Sequence, residues 1–410
     1  MRLRSTLLAI FFVQGSGLCA DNVEPGINES VTNSQSLSAY LNLIMEMEAK
    51  YGAYNPELIQ VFVKKGHWHH EQVDYLAAAE SYRSALHISK VNKGLHHFSQ
   101  IELAELLSHA LIALEDWQSL DDNLQYLLWL YRRNFTGEDD RLLAMIERVT
   151  NWYMQAYKLH RGGEAVSYLL KADELIEETT RRVAKYNGKY SQQLINLLQR
   201  TATINYQIAN DIEDTYIMSY SVIQDVMMKN KRATPYFNEA GVRDFYFDQS
   251  FYKGKRAFDR ILEIHKRTLP DSAVEYAKTL VYQGDYYLSL GRKWHAMGNY
   301  EKAHKMLQIY SVASEHVASL FGQPRQVEPF IIPGKEIVEI GQQQYIDAQF
   351  DVLSTGWPSH IRIVARKPKD NDQLRTRGKY AIASTRFRPR FEQGEPVNTE
   401  DVTLRYIFRH

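Results

Sequence analysis

Small and apolar residues return along this chain at helical spacing, in blocks separated by forty-odd residues. The sharpest blocks are Gly66…Asp74-Tyr75…Ala78…Tyr82…Ala85 and Leu290-Gly291…Trp294…Gly298-Asn299-Tyr300…Ala303. Small residues stand where two helices must touch, and a large aromatic marks the turn between them. Taking that aromatic as a marker gives equivalent positions at Tyr75, Trp117, Gly162, Ile212, Gly254 and Tyr300, at intervals of 42, 45, 50, 42 and 46 residues. Three residues on, Ala78, Leu120, Ala165, Ala257 and Ala303 are small or apolar, while Thr215 breaks the rule. Tyr82 and Ala85, Leu124 and Leu127, Leu169 and Ala172, Ile261 and Ile264, and Leu307 and Tyr310 then continue one helix face. The pattern predicts about six amphipathic helical hairpins over residues 36–322. Each is unable to bury its apolar face alone and so stacks on the next. Leu37–Tyr51, with Leu41, Ile44, Met45 and Glu48 at helical spacing, predicts a first, capping helix.

Beyond Gly322 the pattern changes. Pro324, Pro329, Pro333 and Gly334 exclude a long helix from 323–340, which reads as a linker. Tyr345–Val352 alternates strictly, with Ile346, Ala348, Phe350 and Val352 on one side, and predicts a half-buried strand. Ser354–Pro358 turns it, and Ile361 and Ile363 mark a second strand. Asp370–Thr385 predicts a helix capped by Asp370 or Asp372, with Leu374, Gly378 and Ala381 inward. Phe387–Phe391 and Asp401–Phe408 predict two more strands around the turn Gln393–Pro396. The expected fold class is mostly α: an α-solenoid of helical hairpins followed by a small α+β domain of order ββαββ over 341–410.

The hairpin blocks resemble the tetratricopeptide repeat family in its long-period, kinesin-light-chain-like form. The family's first-helix glycine appears as Phe62…Lys65-Gly66 and Tyr287…Leu290-Gly291, and the middle copies lack it. The resemblance implies a concave groove lined by first-helix residues that binds an extended peptide. In the marker register these are Gln60, His67, His70, Glu102, His109, Met154, Tyr157, Arg200, Gln207, Tyr246, Gln249, Arg292 and His295. The C-terminal segment resembles the C-terminal domain of the TonB family. That resemblance rests on Phe350-Asp351-Val352…Gly356…Pro358…Ile361…Ile363 and Thr385-Arg386-Phe387-Arg388-Pro389…Gly394…Pro396-Val397. It implies a sheet that receives a receptor peptide by strand addition. The chain lacks the family's Pro-rich spacer, so the implied role is an interaction module or an accessory of outer-membrane transport.

Charge and chemistry narrow the function further. Lys+Arg and Asp+Glu are both 49 in 410 residues, so the total gives no pull toward nucleic acid or an anionic membrane. Arg2 and Arg4, the apolar Thr6–Val13 and the small-residue stretch Gly15–Ala20 read as a signal peptide over 1–20, too short to span a bilayer. Residues 21–35 read as a flexible lead. Cleavage after Ala20 removes the one cysteine, Cys19, and with it any disulfide or thiol chemistry. A lipid-anchored alternative would retain Cys19, but the bulky Leu18 before it speaks against that. The expectation is a periplasmic protein of a Gram-negative bacterium, with protein or peptide partners in the cell envelope and at most peripheral membrane contact.

His67 and His70 share a helix face at a spacing compatible with a transition metal, and a metal or enzymatic role through them is the alternative reading. No third ligand is placed by sequence, and no phosphate loop, nucleophile elbow or metalloprotease motif occurs. No catalytic residue, metal or cofactor is therefore expected. Residues 362–390 concentrate positive charge in Arg362, Arg366, Lys367, Lys369, Arg375, Arg377, Lys379, Arg386, Arg388 and Arg390. They form a candidate basic face for an acidic partner, peptidoglycan or lipid head groups. Without base-stacking aromatics between them they do not suit nucleic acid.

Overall fold

The computed structural model describes residues 37–137, 139–159, 163–214, 239–327, 344–368 and 371–408. The signal segment, the lead, Cys19, the marker Gly162, Thr215, Lys369 and Asp370 lie outside them, as does the linker beyond residue 327. The chain divides into two compact units, Met1–Trp152 and Tyr153–His410. Both are built from successive helical hairpins of the α-solenoid class, and the second also carries the C-terminal strands. Among the described residues no helix is long and apolar enough to cross a membrane.

In the first unit α1 (Leu37–Tyr51) covers α2 (Leu58–Glu71) and α3 (Tyr75–Lys93), followed by α4 (Gln100–Ala113), α5 (Trp117–Asn134) and the start of α6 (Asp140–Leu159). Of the four α1 residues expected inward only Ile44 is buried, against Leu58 and Ile88, while Leu41 and Met45 are exposed. The hairpin turns share one construction. Val73 and Glu115 hold positive φ of 62° and 56°. The next residues, Asp74 and Asp116, donate their N–H back to His69 O and Leu111 O, at 2.9 and 3.1 Å. Each aspartate then accepts the amide of Ala77 or Ser119, capping the second helix. Ala78, Tyr82, Ala85, Leu120, Leu124 and Leu127 are all buried, as the stripe predicts.

The second unit contains the end of α6, then α7 (Gly163–Tyr186), α8 (Gln192–Asp214), α9 (Glu239–Lys266), α10 (Ala273–Ser289), α11 (Lys293–Ile309) and α12 (Ser314–Phe321). The marker Ile212 is buried in the last turn of α8. Two markers are corrected here. Gly254 is not at a turn: it lies inside the unbroken α9, where a side chain would collide with Tyr286 of α10. Tyr300 lies inside α11, and the true turn is Gly291, with φ 72° and Arg292 N–H bonded back to Tyr287 O at 2.7 Å. Tyr300 therefore matches Tyr82, and Gly284 matches Gly66; each glycine sits under its tyrosine ring. The predicted register is displaced by seven residues, two helical turns, which leaves the apolar face unchanged. Among the described residues the helices pair as α2/α3, α4/α5, α8/α9 and α10/α11.

The C-terminal elements are β1 (Arg325–Gln326), β2 (Gln344–Val352), β3 (Pro358–Lys367), α13 (Asp372–Ser384), β4 (Phe387–Arg388), β5 (Arg390–Glu392), β6 (Glu395–Val397) and β7 (Thr399–Phe408). The main sheet is antiparallel, with order β3-β2-β7. Its buried face, Ile346, Ala348, Phe350 and Val352, packs with Leu374 and Ile382 of α13. The helix cap is Asn371, which accepts Leu374 N–H, not Asp370 or Asp372. The predicted single strand Phe387–Phe391 is broken at Pro389, which has no N–H to donate. Its first half pairs with β1 at the start of the expected linker, and its second half forms a small hairpin with β6. The order ββαββ therefore holds along the chain, but the fourth element is split and lies outside the main sheet.

Both neighbours of β2 bulge beside Asp351. His360 and Asp401 there hold φ of 50° and 56°. His360 Nδ1 lies 2.6 Å from the Asp351 carboxylate, and the Asp401 N–H donates to it at 3.1 Å. The His360 hydrogen bond first, and then the Asp401 amide, hold the Asp351 carboxyl below the usual carboxylate range. A depressed folded-state pKa adds stability above the ordinary aspartate value, and that stability is lost as pH falls through the depressed value. The carbon-13 titration of Asp351 is expected to show a midpoint below that of a free aspartate and to move upward in His360→Ala. An unchanged midpoint in the variant would show that the histidine bond does not hold the carboxylate.

Candidate functional site

In the first unit the first helices α2, α4 and the start of α6 carry the polar candidates, and Glu105 of α4 is tied to Arg148 of α6. On α2, Gln60, His67 and His70 are exposed, while His69 between them is buried with Nδ1 3.3 Å from Asp74. Their sorting follows from helix geometry: the small Gly66 faces α3, so the residues flanking it on the outer arc face solvent. His67 Nδ1 lies 3.3 Å from the Tyr82 hydroxyl, and the His70 ring meets Tyr75 edge-on with centroids 5.1 Å apart. Burial, and then Glu71, push the Tyr82 hydroxyl up to about 12.

On α4, Glu102 and His109 are exposed, and Glu105 between them binds Arg148 of α6 at 2.5 Å. His109 is held below the usual histidine range. Desolvation by the surrounding helices is the first cause. Arg148 and His70 act in the same direction, and Glu105 opposes them. At neutral pH this imidazole is a neutral hydrogen-bonding group beside the Glu105–Arg148 pair. The Glu105–Arg148 pair joins two successive first helices, and His70 is exposed on α2, the first helix before them. Together these side chains offer donors, an acceptor and flat rings, which suits polar side chains and backbone of a bound peptide. Glu105 follows Glu102 by three residues and precedes His109 by four, a signal the sequence carried; Arg148 had none.

In the second unit the remaining groove candidates separate. Tyr157 of α6 donates to Asp211 of α8, and burial and then that carboxylate raise its pKa. Met154, Arg200 and Gln207 are half-buried on the same first helices. Tyr246 and Gln249 lie on α9, a second helix, and Tyr246 is buried. Arg292 caps α11 and His295 lies on it, again a second helix. Tyr246 and Gln249 leave the first-helix set because Gly254 marks no turn, and Arg292 and His295 leave it because of the displaced register.

The predicted basic face is likewise divided. Arg388 is fully buried, 3.5 Å from Asp285 of α10. Arg386 covers the Trp357 ring at 3.2 Å, Arg366 pairs with Asp372, Arg390 with Glu392 and Arg362 with Asp401. Lys367, Arg375, Arg377 and Lys379 are exposed. Charge on this segment is thus partly neutralised and faces several ways. Among the described residues no three of His, Cys, Asp or Glu gather as a metal site.

No protein-family model matches the chain, and no curated protein matches its sequence. Among solved structures, BtubC (BKLC) from P. vanneervenii is similar over 74% of this chain and 96% of its own, at 10% identity and a TM-score of 0.31. A variant of a putative kinesin light chain from Podosopora anserina, with nearly identical TPR-like repeats, is similar over 63% and 98%, at 13% identity and a TM-score of 0.30. A second structure of that protein covers 53% and 99%, at 13% identity and a TM-score of 0.27. At such scores the fold assignment rests on the hairpins described above. The TonB resemblance finds no match among these comparisons.

Proposed function

We propose that this chain is a protein-interaction scaffold of the bacterial envelope that binds an extended peptide across its first helices. The observation that carries this is the Glu105–Arg148 pair, which ties two successive first helices together, with His67, His70 and His109 exposed on the same set of first helices. Stacked hairpins derive extended binding surfaces from such rows, because each repeat adds a few side chains at a fixed step. The C-terminal sheet supports a second contact. Among the described residues β7 pairs with β2 alone, so its other edge offers free backbone groups for strand addition. Secretion to the periplasm rests on the Arg2–Ala20 pattern, and an accessory role in outer-membrane transport rests on the sheet edge.

The first-helix surface is tested with the full chain carrying His70→Glu and His109→Glu, compared with the unaltered chain by cross-linking in envelope preparations. Both positions are exposed, so the fold is expected to survive. The expected result is loss of at least one partner from the variant while circular dichroism is unchanged. Identical partners on both chains would remove the first-helix surface from the account.

A further inference from the structure

The first helices are not the only surface with a built character. On the outward side of α3, Arg83, His87 and Lys90 recur at i, i+4 and i+7 and form one stripe. Depressions of about 380 and 370 Å³ flank the stripe. The first is floored by Leu86, Leu107 and Leu111 and rimmed by Tyr126. The second is floored by Phe62 and Ile88 and rimmed by Tyr54. Rings hold two members of the stripe in place: Tyr54 meets His87 edge-on at 5.7 Å, and Lys90 Nζ sits 3.9 Å over Tyr126. Among the described residues, the acid within ion-pair reach of the stripe is Asp116, 3.9 Å from Arg83 and already bound to the Ser119 amide. Among the described residues no other carboxylate lies within ion-pair reach of Arg83 or Lys90. Asp122 lines the first depression and Glu48 the second, and they set limits on where an anion can sit.

We propose that this face of α3 is a docking surface for an acidic, extended segment of a partner protein. Charge complementarity selects the partner's sign, and the apolar floors select its intervening residues. Arg83 and Lys90 are seven residues apart on a helix, about 10 Å along its axis. A polyproline-type strand repeats one face every three residues, about 9 Å. Carboxylates at every third position would therefore meet the two cations, with apolar side chains between them entering the flanking depressions. The surface lies on a second helix and shares no residue with the first-helix cluster, so it stands or falls apart from that reading.

The probe is a fluorescein-labelled peptide of repeated Glu-Leu-Pro, titrated against the full chain by anisotropy. Two control peptides repeat Glu-Ser-Pro and Lys-Leu-Pro. Binding of the first is expected, with weakening at high salt. Glu-Ser-Pro is expected to bind about tenfold more weakly, and Lys-Leu-Pro not measurably. R83E/K90E is expected to lose at least about tenfold in affinity, and H67A/H70A to lose none. Should R83E/K90E fail to fold by circular dichroism, R83Q/K90Q takes its place with the same expectation. No binding of Glu-Leu-Pro, equal binding of Lys-Leu-Pro, or undiminished binding by the charge variant would overturn the proposal. So would tighter binding, through the same stripe, of a uridine oligomer or phosphatidylglycerol vesicles, which would assign the stripe to polyanions.

Discussion

Arg388→Ala costs about 3–5 kcal/mol of unfolding free energy, the loss expected when one member of a buried ion pair is removed. Arg388 has no solvent exposure and lies 3.5 Å from Asp285. Among the described residues its guanidinium nitrogens have no hydrogen-bond partner, so the pair is one of charge more than of aligned bonds. Asp285 accepts the Tyr300 hydroxyl at 2.8 Å. Burial nevertheless raises its carboxyl above the usual range, outweighing the pull of Arg388, the Tyr300 bond and Arg325. Desolvation thus wins over attraction, and the pair is a weak net contributor whose halves cannot be separated. It follows that Asp285→Asn destabilises by a similar amount, whereas Asp285→Leu with Arg388→Met, combined with Tyr300→Phe so that no buried hydroxyl loses its acceptor, returns to within about 1 kcal/mol of the native chain. Urea unfolding of the native chain and the three variants measures each loss. If either single variant loses less than about 1 kcal/mol, the pair is not desolvated as described.

That pair also marks where sequence reading stops. The stripes Ala78–Tyr82–Ala85 and Leu120–Leu124–Leu127 were legible because helical period and burial are locally coupled. The turns were not. Val73 and Glu115 occupy left-handed positions where glycine or asparagine is the usual sign, so the chain carried no mark there. Gly291 did carry it, but the neighbouring Tyr300 drew the register two turns away. Gly254 is small for the sake of Tyr286, a residue of another helix, and so mimicked a turn. In the candidate site His67, His70 and His109 were visible as a polar face, while Arg148 joins them only through the packing of α6 on α4. Arg388 read as one more surface cation because nothing in its own strand announces a carboxylate on α10.

The corrected register makes a sharper test, since it equates Gly66 with Gly284 and Tyr82 with Tyr300. An added methyl group at either glycine falls inside the van der Waals radius of its tyrosine ring. Alanine gains about 1 kcal/mol in backbone entropy and helix propensity, so the clash must exceed that to be seen. At Gly66 the ring has less to lose by shifting: among the described residues the Tyr82 hydroxyl bonds to exposed His67, at 3.3 Å. At Gly284 it cannot, because moving Tyr300 breaks its 2.8 Å bond to buried Asp285. Overpacking of about 1–3 kcal/mol then combines with a lost buried hydrogen bond of about 1–3 kcal/mol. Gly284→Ala is therefore expected to destabilise by about 3 kcal/mol, and Gly66→Ala by about 1 kcal/mol or less. Gly298, in the same helix as Tyr300, has open space around it, so Gly298→Ala is expected to stabilise by up to about 1 kcal/mol. Urea midpoints for the three variants give the order directly. Equal losses at Gly66 and Gly284 would mean that the Asp285–Tyr300 bond does not restrain the ring. A loss at Gly298 would place that residue against another element and undo the register itself.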